Sequence, residues 1–303
     1  MGYLYLIFAL AFGLIKIYCG KRSSAAATCS YNAIIINTVR MILCVIIGLL
    51  FVLIGKSLSL SVITAPFILI ALICGISTAA FTVCWLLAVH SNAYMIVEVF
   101  VMGGTILPLI LSAALYRERI GFIQIIGVTF LLIAVYCIST DKKKEKITLS
   151  LKNLVLLLLC ALSSGMVDFS QKIFVKEIVN VNISVFNLFT YLFAAITLLI
   201  VCPIFREREK TTEKLTSWRS FIKPIFHFIL IMAACLFLNS YFKTKSAIYL
   251  DAILLYPLNQ GCAVVLSLLM SIFVFKERIT TKGIIGIVLS IISMILINVF
   301  AQI

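Results

Sequence analysis

Leu115-Tyr116-Arg117-Glu118-Arg119-Ile120 closes one long apolar run of this chain, and Phe275-Lys276-Glu277-Arg278-Ile279 closes another. Laying the first on the second at a constant offset of 159 aligns Ser112 to Ile138 with Ser271 to Ile297 without a gap. Glu118/Glu277, Arg119/Arg278, Ile120/Ile279 and Gly127/Gly286 then coincide. The starts of the two halves also correspond, Ala9-Leu10-Ala11-Phe12-Gly13 against Ala161-Leu162-Ser163-Ser164-Gly165. Apolar residues match often by chance, so the charged triplets carry the argument for an internal repeat.

The repeat sits in a chain of 303 residues that is 63% hydrophobic and only 12% charged. An average soluble domain is about 25% charged. So few charges cannot coat a water-facing surface, and the chain reads as an integral membrane protein. A spanning helix needs about 20 mostly apolar residues. Ten runs qualify, near 2–19, 33–54, 66–89, 93–116, 120–138, 153–174, 183–203, 221–242, 248–275 and 281–301. They are continuously apolar and lack the two-residue alternation of a membrane barrel strand. The expected fold is an all-α integral membrane protein of ten transmembrane helices arranged as two inverted five-helix repeats. The expected units are residues 1–140, a basic connection at 141–152, and residues 153–303. Inversion follows from the odd number: after five crossings the second copy enters the membrane from the opposite side. Inverted repeats are the mark of carriers that alternate access around a midplane site.

The sequence here resembles a known family. Beside the two Glu-Arg-Ile turns it has Arg40 in span two, Glu98 with Pro108 in span four, and Gly165 followed by Lys172 in span six. In these features it looks like an EamA-like carrier of the drug/metabolite transporter superfamily. Phe12, where such carriers often have Trp, and a displaced span-one lysine (Lys16 or Lys21) depart from the pattern. The resemblance implies ten spans, a central cavity near the span-six lysine, and export of amino acids or other small metabolites.

Charge inside hydrocarbon is costly and marks a pair or a site. Arg40 and Glu98 lie at similar depth, so an interhelical pair between them is allowed, with Glu98 as a solute or proton site. Asp168 and Lys172 stand four residues apart, acid first, the favourable order for a local ion pair. In span nine, Tyr256, Asn259 and Gln260 flank Pro257 near mid-depth, where carriers bind solute. Trp85 reads as a stacking residue or as an interfacial belt tryptophan. Asn239 reads as a helix cap or a site residue. Glu118, Arg119, Glu277 and Arg278 mark the repeat turns.

The ten cysteines show no CxxC spacing and read as unpaired. His90 and His227 have no partner at ligand spacing, so no metal is expected. No GxSxG, HExxH or Walker sequence occurs, and no cofactor is expected. The expected activity is secondary active or facilitative transport of small organic metabolites or drugs, in a bacterial cytoplasmic membrane, with protons as a candidate coupling ion. The net charge of +14 meets lipid headgroups rather than nucleic acid. Two alternatives stand: a non-transporting membrane structural or assembly protein, and a membrane-embedded lipid-modifying enzyme. The sequence leaves the oligomeric state open.

Sixteen Lys and Arg residues fall on one side of this topology, at 21–22, 142–152, 206–223 and 276–282, and seven on the other. The positive-inside rule puts the richer side in the cytoplasm and both termini outside, whereas the resemblance implies termini inside. The charge count predicts that a single cysteine introduced at position 1 or 303 reacts with an impermeant maleimide in intact cells; protection of both until lysis reverses the orientation.

Overall fold

The computed structural model describes residues 1–56, 63–91, 94–117, 121–139, 151–178, 181–210, 221–274 and 281–299. Among the described residues there is no strand, and eleven α-helices form. They are α1 (Gly2–Ser24), α2 (Ser30–Ile54), α3 (Ala65–Ser91), α4 (Tyr94–Gly103), α5 (Ile106–Tyr116), α6 (Phe122–Ser139), α7 (Leu151–Glu177), α8 (Ile183–Lys210), α9 (Phe226–Ser246), α10 (Ala252–Leu269) and α11 (Thr281–Val299). The expected turn residues Glu118, Arg119, Glu277 and Arg278 lie outside the described residues.

Helices are what such apolar runs must form where no water can bond a free N–H or C=O, because a helix satisfies its backbone within itself. Among the described residues, six helical stretches are long and apolar enough to cross a membrane: Gly2–Ser24, Ser30–Ile54, Ala65–Ser91, Asn153–Glu177, Ile183–Glu207 and Lys223–Ser246. Their large aliphatic side chains point outward, among them Ile46, Leu49, Leu50 and Leu53 of α2 and Leu158, Leu159 and Leu162 of α7. The buried set includes Asn37, Arg40, Asp168, Gln171, Lys172 and Asn187. Apolar outside and polar inside is the reverse of a water-soluble protein, and the chain is a multi-pass membrane protein.

The helices pair in a regular scheme: α1 against α9, α3 against α7, α2 against α8, α6 against α11, and α4 against α10. The α3–α7–α8 junction is filled by aromatic rings. Phe174 stacks on Phe186 with centroids 4.0 Å apart, and Phe67 meets Phe186 edge-on at 6.4 Å. On the other flank Phe242 of α9 stacks on Phe12 of α1 at 5.8 Å.

The expected continuous span at 93–116 is broken, and the break has a local cause. Pro108 has no N–H to give the carbonyl of Gly104 four residues back, and its ring crowds that turn. The Gly104 carbonyl is instead taken by Leu107 N at 3.1 Å, and Thr105 N turns back to Met102 O at 3.0 Å. The helix therefore divides into α4 and α5 at Gly104-Thr105. α7 closes on this break: a Cβ on Gly165 would run into the Gly104 carbonyl oxygen, and one on Gly104 into the Ala161 carbonyl. Only glycine admits backbone this close. Gly165→Ala is expected to cost about 1–3 kcal/mol through overpacking, read as a lower melting temperature in detergent. Gly48→Ala, whose nearest contact would be 3.2 Å, is expected to shift it less.

Candidate functional site

Polar residues recur at helical spacing on the inner faces of several helices. On α7 they are Ser164, Asp168 and Gln171; on α9 they are Asn239, Ser240 and Lys243. Ser164, Asp168 and Gln171 are four and three apart and share one side of α7, and Lys243 stands four residues from Asn239 and three from Ser240. These faces converge with α1, α2, α3, α4, α8 and α10 on a single cavity enclosing about 1110 Å³ of empty space, its mouth included.

The cavity collects most of the residues expected from sequence. Arg40, Trp85, Glu98, Asp168, Asn239, Asn259 and Gln260 all line it. Lys172 and Tyr256 are buried outside its lining, Tyr256 against Leu6, Ala247 and Leu255. The pairings differ from the expected ones. Trp85 is an inner residue, not a belt tryptophan: it is 6% exposed, and its Nε1 donates to Glu98 Oε1 at 2.9 Å. Arg40 does not meet Glu98; its Nη1 donates to Met232 Sδ at 3.3 Å. Asp168 takes its cation from another helix, with Lys243 Nζ at 2.5 Å from Oδ1, while Lys172 Nζ reaches Asp251 at 3.9 Å. The local Asp168–Lys172 pair gives way because an α9 ammonium seats directly on the carboxylate. Asn239 is no cap. It lies inside α9 and its Nδ2 donates to Ala9 O at 2.6 Å, tying α9 to α1.

Two cations of the cavity were not read from sequence as site residues. Lys243 looked like a loop charge, because the apolar run ends at 242; the helix instead continues to Ser246 and carries Lys243 inward. Its spacing from Asn239 and Ser240 was the available signal. Lys16 of α1 was noted only as a displaced family lysine, and it also lines the cavity. A hydrogen-bonded chain extends the polar wall: Gln171 Nε2 donates to Ser240 Oγ at 3.1 Å, and Ser240 Oγ donates to Asn187 Oδ1 at 3.2 Å.

Several buried polar atoms on this wall have no protein partner: Asp168 Oδ2, Gln171 Oε1, Asn259 Oδ1 and Arg40 Nε. Buried polar groups are normally satisfied. A concentration of unsatisfied ones around a cavity is chemistry suited to a polar guest. Among the described residues no disulfide forms and no cluster of three metal-ligating side chains occurs.

The Asp168–Lys243 pair also holds α7 to α9. Removing one partner of a buried pair leaves the other charge uncompensated, typically about 3–5 kcal/mol, whereas removing both is far milder. Lys243→Met is therefore expected to lower the melting temperature more than the double variant Asp168→Asn/Lys243→Met. A double variant no more stable than Lys243→Met would mean that an uncompensated Asp168 charge is not what the single variant costs.

Residues 151–299 match the EamA-like transporter family. A solved structure described as "Crystal structure of protein" shares the fold with a TM-score of 0.67, at 14% identity over 99% of this chain and 97% of its own. No curated protein matches this chain. The family's members are membrane transporters of small molecules. Over residues 151–299, just under half of its length, this chain is similar to the EamA-like transporter family of the drug/metabolite transporter superfamily.

Proposed function

We propose that this chain is a secondary carrier of small organic solutes, built from ten spans in two inverted five-helix halves that rock around the central cavity. The observation that carries the reading is the composition of the cavity wall. In the proposed division, residues 1–140 and 153–303, the lining comes from α1 to α4 of one half and α7 to α10 of the other. The last helices of the two halves, α6 and α11, pack on each other away from it.

The pairing scheme supports the inverted repeat independently of sequence. Number the helical rods one to ten, with α4 and α5 together as the fourth. Rod one packs on rod eight, and rod six on rod three. Exchanging the halves turns each of these contacts into the other. Two with seven, four with nine and five with ten map onto themselves. Rods four and one touch rods six and nine respectively, again a matched pair. A two-fold relation between halves predicts such self-consistency.

In this reading the broken fourth rod brings Glu98 to one end of the cavity, and the Asp168–Lys243 pair guards the other. Alternating access requires the two ends to open in turn, and interhelical contacts such as Asp168–Lys243 and Trp85–Glu98 are suited to break and re-form. Glu98 is the proposed solute or proton site, since a carboxylate here trades a proton against a bound cation or donor. No nucleotide-binding sequence occurs, so the driving force is an ion gradient or the solute's own gradient.

Purified protein in proteoliposomes loaded with a mixed amino-acid and metabolite pool is expected to release particular components faster than protein-free vesicles, followed by mass spectrometry of the exterior. Glu98→Gln is expected to slow that release by about tenfold, roughly 1.4 kcal/mol of interaction, or to flatten its pH dependence. No protein-dependent release of any component would overturn the carrier. Release by Glu98→Gln unchanged at every pH would remove Glu98 from the mechanism.

A further inference from the structure

Among the described residues, the charges that line the cavity do not cancel. Asp168 and Lys243 neutralise each other at 2.5 Å. That leaves Lys16, Arg40 and Glu98 on the wall. Glu98 already accepts the Trp85 indole N–H. Among the described residues neither Lys16 nor Arg40 has a carboxylate partner. Arg40 is 3% exposed, its Nε has no partner, and its Nη1 donates to a thioether sulfur, a weak acceptor. A guanidinium is never deprotonated in a protein and prefers bidentate anions. A buried guanidinium whose hydrogen bond goes to a methionine sulfur keeps donor capacity for an anion. Lys16 stands within electrostatic reach of Arg40 and Glu98, so two cations and one acid share this region.

The remainder of the wall has the opposite need. Asp168 Oδ2, Gln171 Oε1 and Asn259 Oδ1 are buried acceptors without donors. They lie on α7 and α10, and the cations on α1 and α2.

We infer that the solute of this cavity is a small organic anion of net charge −1, whose carboxylate or similar planar head seats on Arg40 and Lys16. Its hydroxyl or amide N–H groups donate to Asp168, Gln171 and Asn259. This rests on the carrier reading and narrows it: the bound anion brings Lys16, Arg40, Glu98 and itself to zero net charge. A neutral cavity crosses from one access state to the other without carrying uncompensated charge through hydrocarbon, the costly step for any charged site. A cationic or neutral solute would leave Arg40 buried and unmatched in the loaded carrier.

The test uses three probes of one shape: 4-hydroxybenzoate, 4-hydroxybenzamide and 4-hydroxybenzylamine, each at tens of millimolar and constant ionic strength. The full-length protein is held in detergent and its melting temperature recorded. The anion is expected to raise it by about 2–4 °C, the response to a ligand at several times its Kd. The amide and the amine are expected to leave it unchanged. Arg40→Gln and Lys16→Gln are each expected to abolish the shift, and Arg40→Lys to keep part of it. If Arg40→Gln does not fold, Lys16→Gln and Arg40→Lys carry the comparison. Equal stabilisation by the amide, stabilisation by the amine, no response to the anion, or a response that survives Lys16→Gln would each overturn the anion site. The outcomes separate from those of the carrier reading. Anion binding without protein-dependent release in proteoliposomes removes transport and keeps the site; release of solutes without anion binding removes the site and keeps transport.

Discussion

Hydrocarbon offers no hydrogen bonds, and this chain is organised by that deprivation. Every backbone group has to be satisfied by its own helix, and every polar side chain has to find a place away from lipid. Outward faces are therefore aliphatic, as along α2 and α7, and the polar residues of eight helices are driven toward one interior. The cavity is less a pocket added to a fold than the place where the polar residues can all be accommodated together.

Close helix approach makes this interior possible. Lipid tails are as apolar as leucine, so helices associate through packing and interhelical hydrogen bonds rather than hydrophobic burial. The Gly104–Gly165 contact lets α7 lie directly on the break between α4 and α5. Asn239 ties α9 to the Ala9 carbonyl of α1, and Lys243 ties α9 to α7 through Asp168. Each tie spans many residues of sequence and joins the first part of the chain to the second, or one wall of the cavity to another. The wall is consequently held by polar contacts between helices rather than by hydrophobic burial.

The cavity residues differ in how visible they were beforehand. Arg40, Glu98 and Asp168 stand out because a charge inside a long apolar run demands an explanation. Asn259 and Gln260 stand out beside Pro257 at mid-run. Lys243 and Lys16 did not, since a lysine near the end of an apolar run looks like a flanking charge until the helix register is known. Partners were less visible still. Sequence spacing offers Asp168 only the neighbours on its own helix, and Lys172 is the obvious one; Lys243, 75 residues away, is reached only when α7 and α9 are side by side. The same holds for Trp85, whose depth in its run suggested an interface and whose indole turns inward to Glu98.

The sequence by itself determined the helical, membrane-embedded class and the positions of the long apolar runs, because hydropathy and local spacing act within a single helix. It also contained the break in the fourth run, in Gly103-Gly104 and Pro108, though only the folded chain shows the glycine carbonyl taken by the third residue on and covered by Gly165. Tertiary structure alone decided which charge meets which, which cations are left over and which acceptors go unmatched. Those are questions of distance between helices far apart in sequence, and Coulomb energy in a medium without water depends on that distance above all.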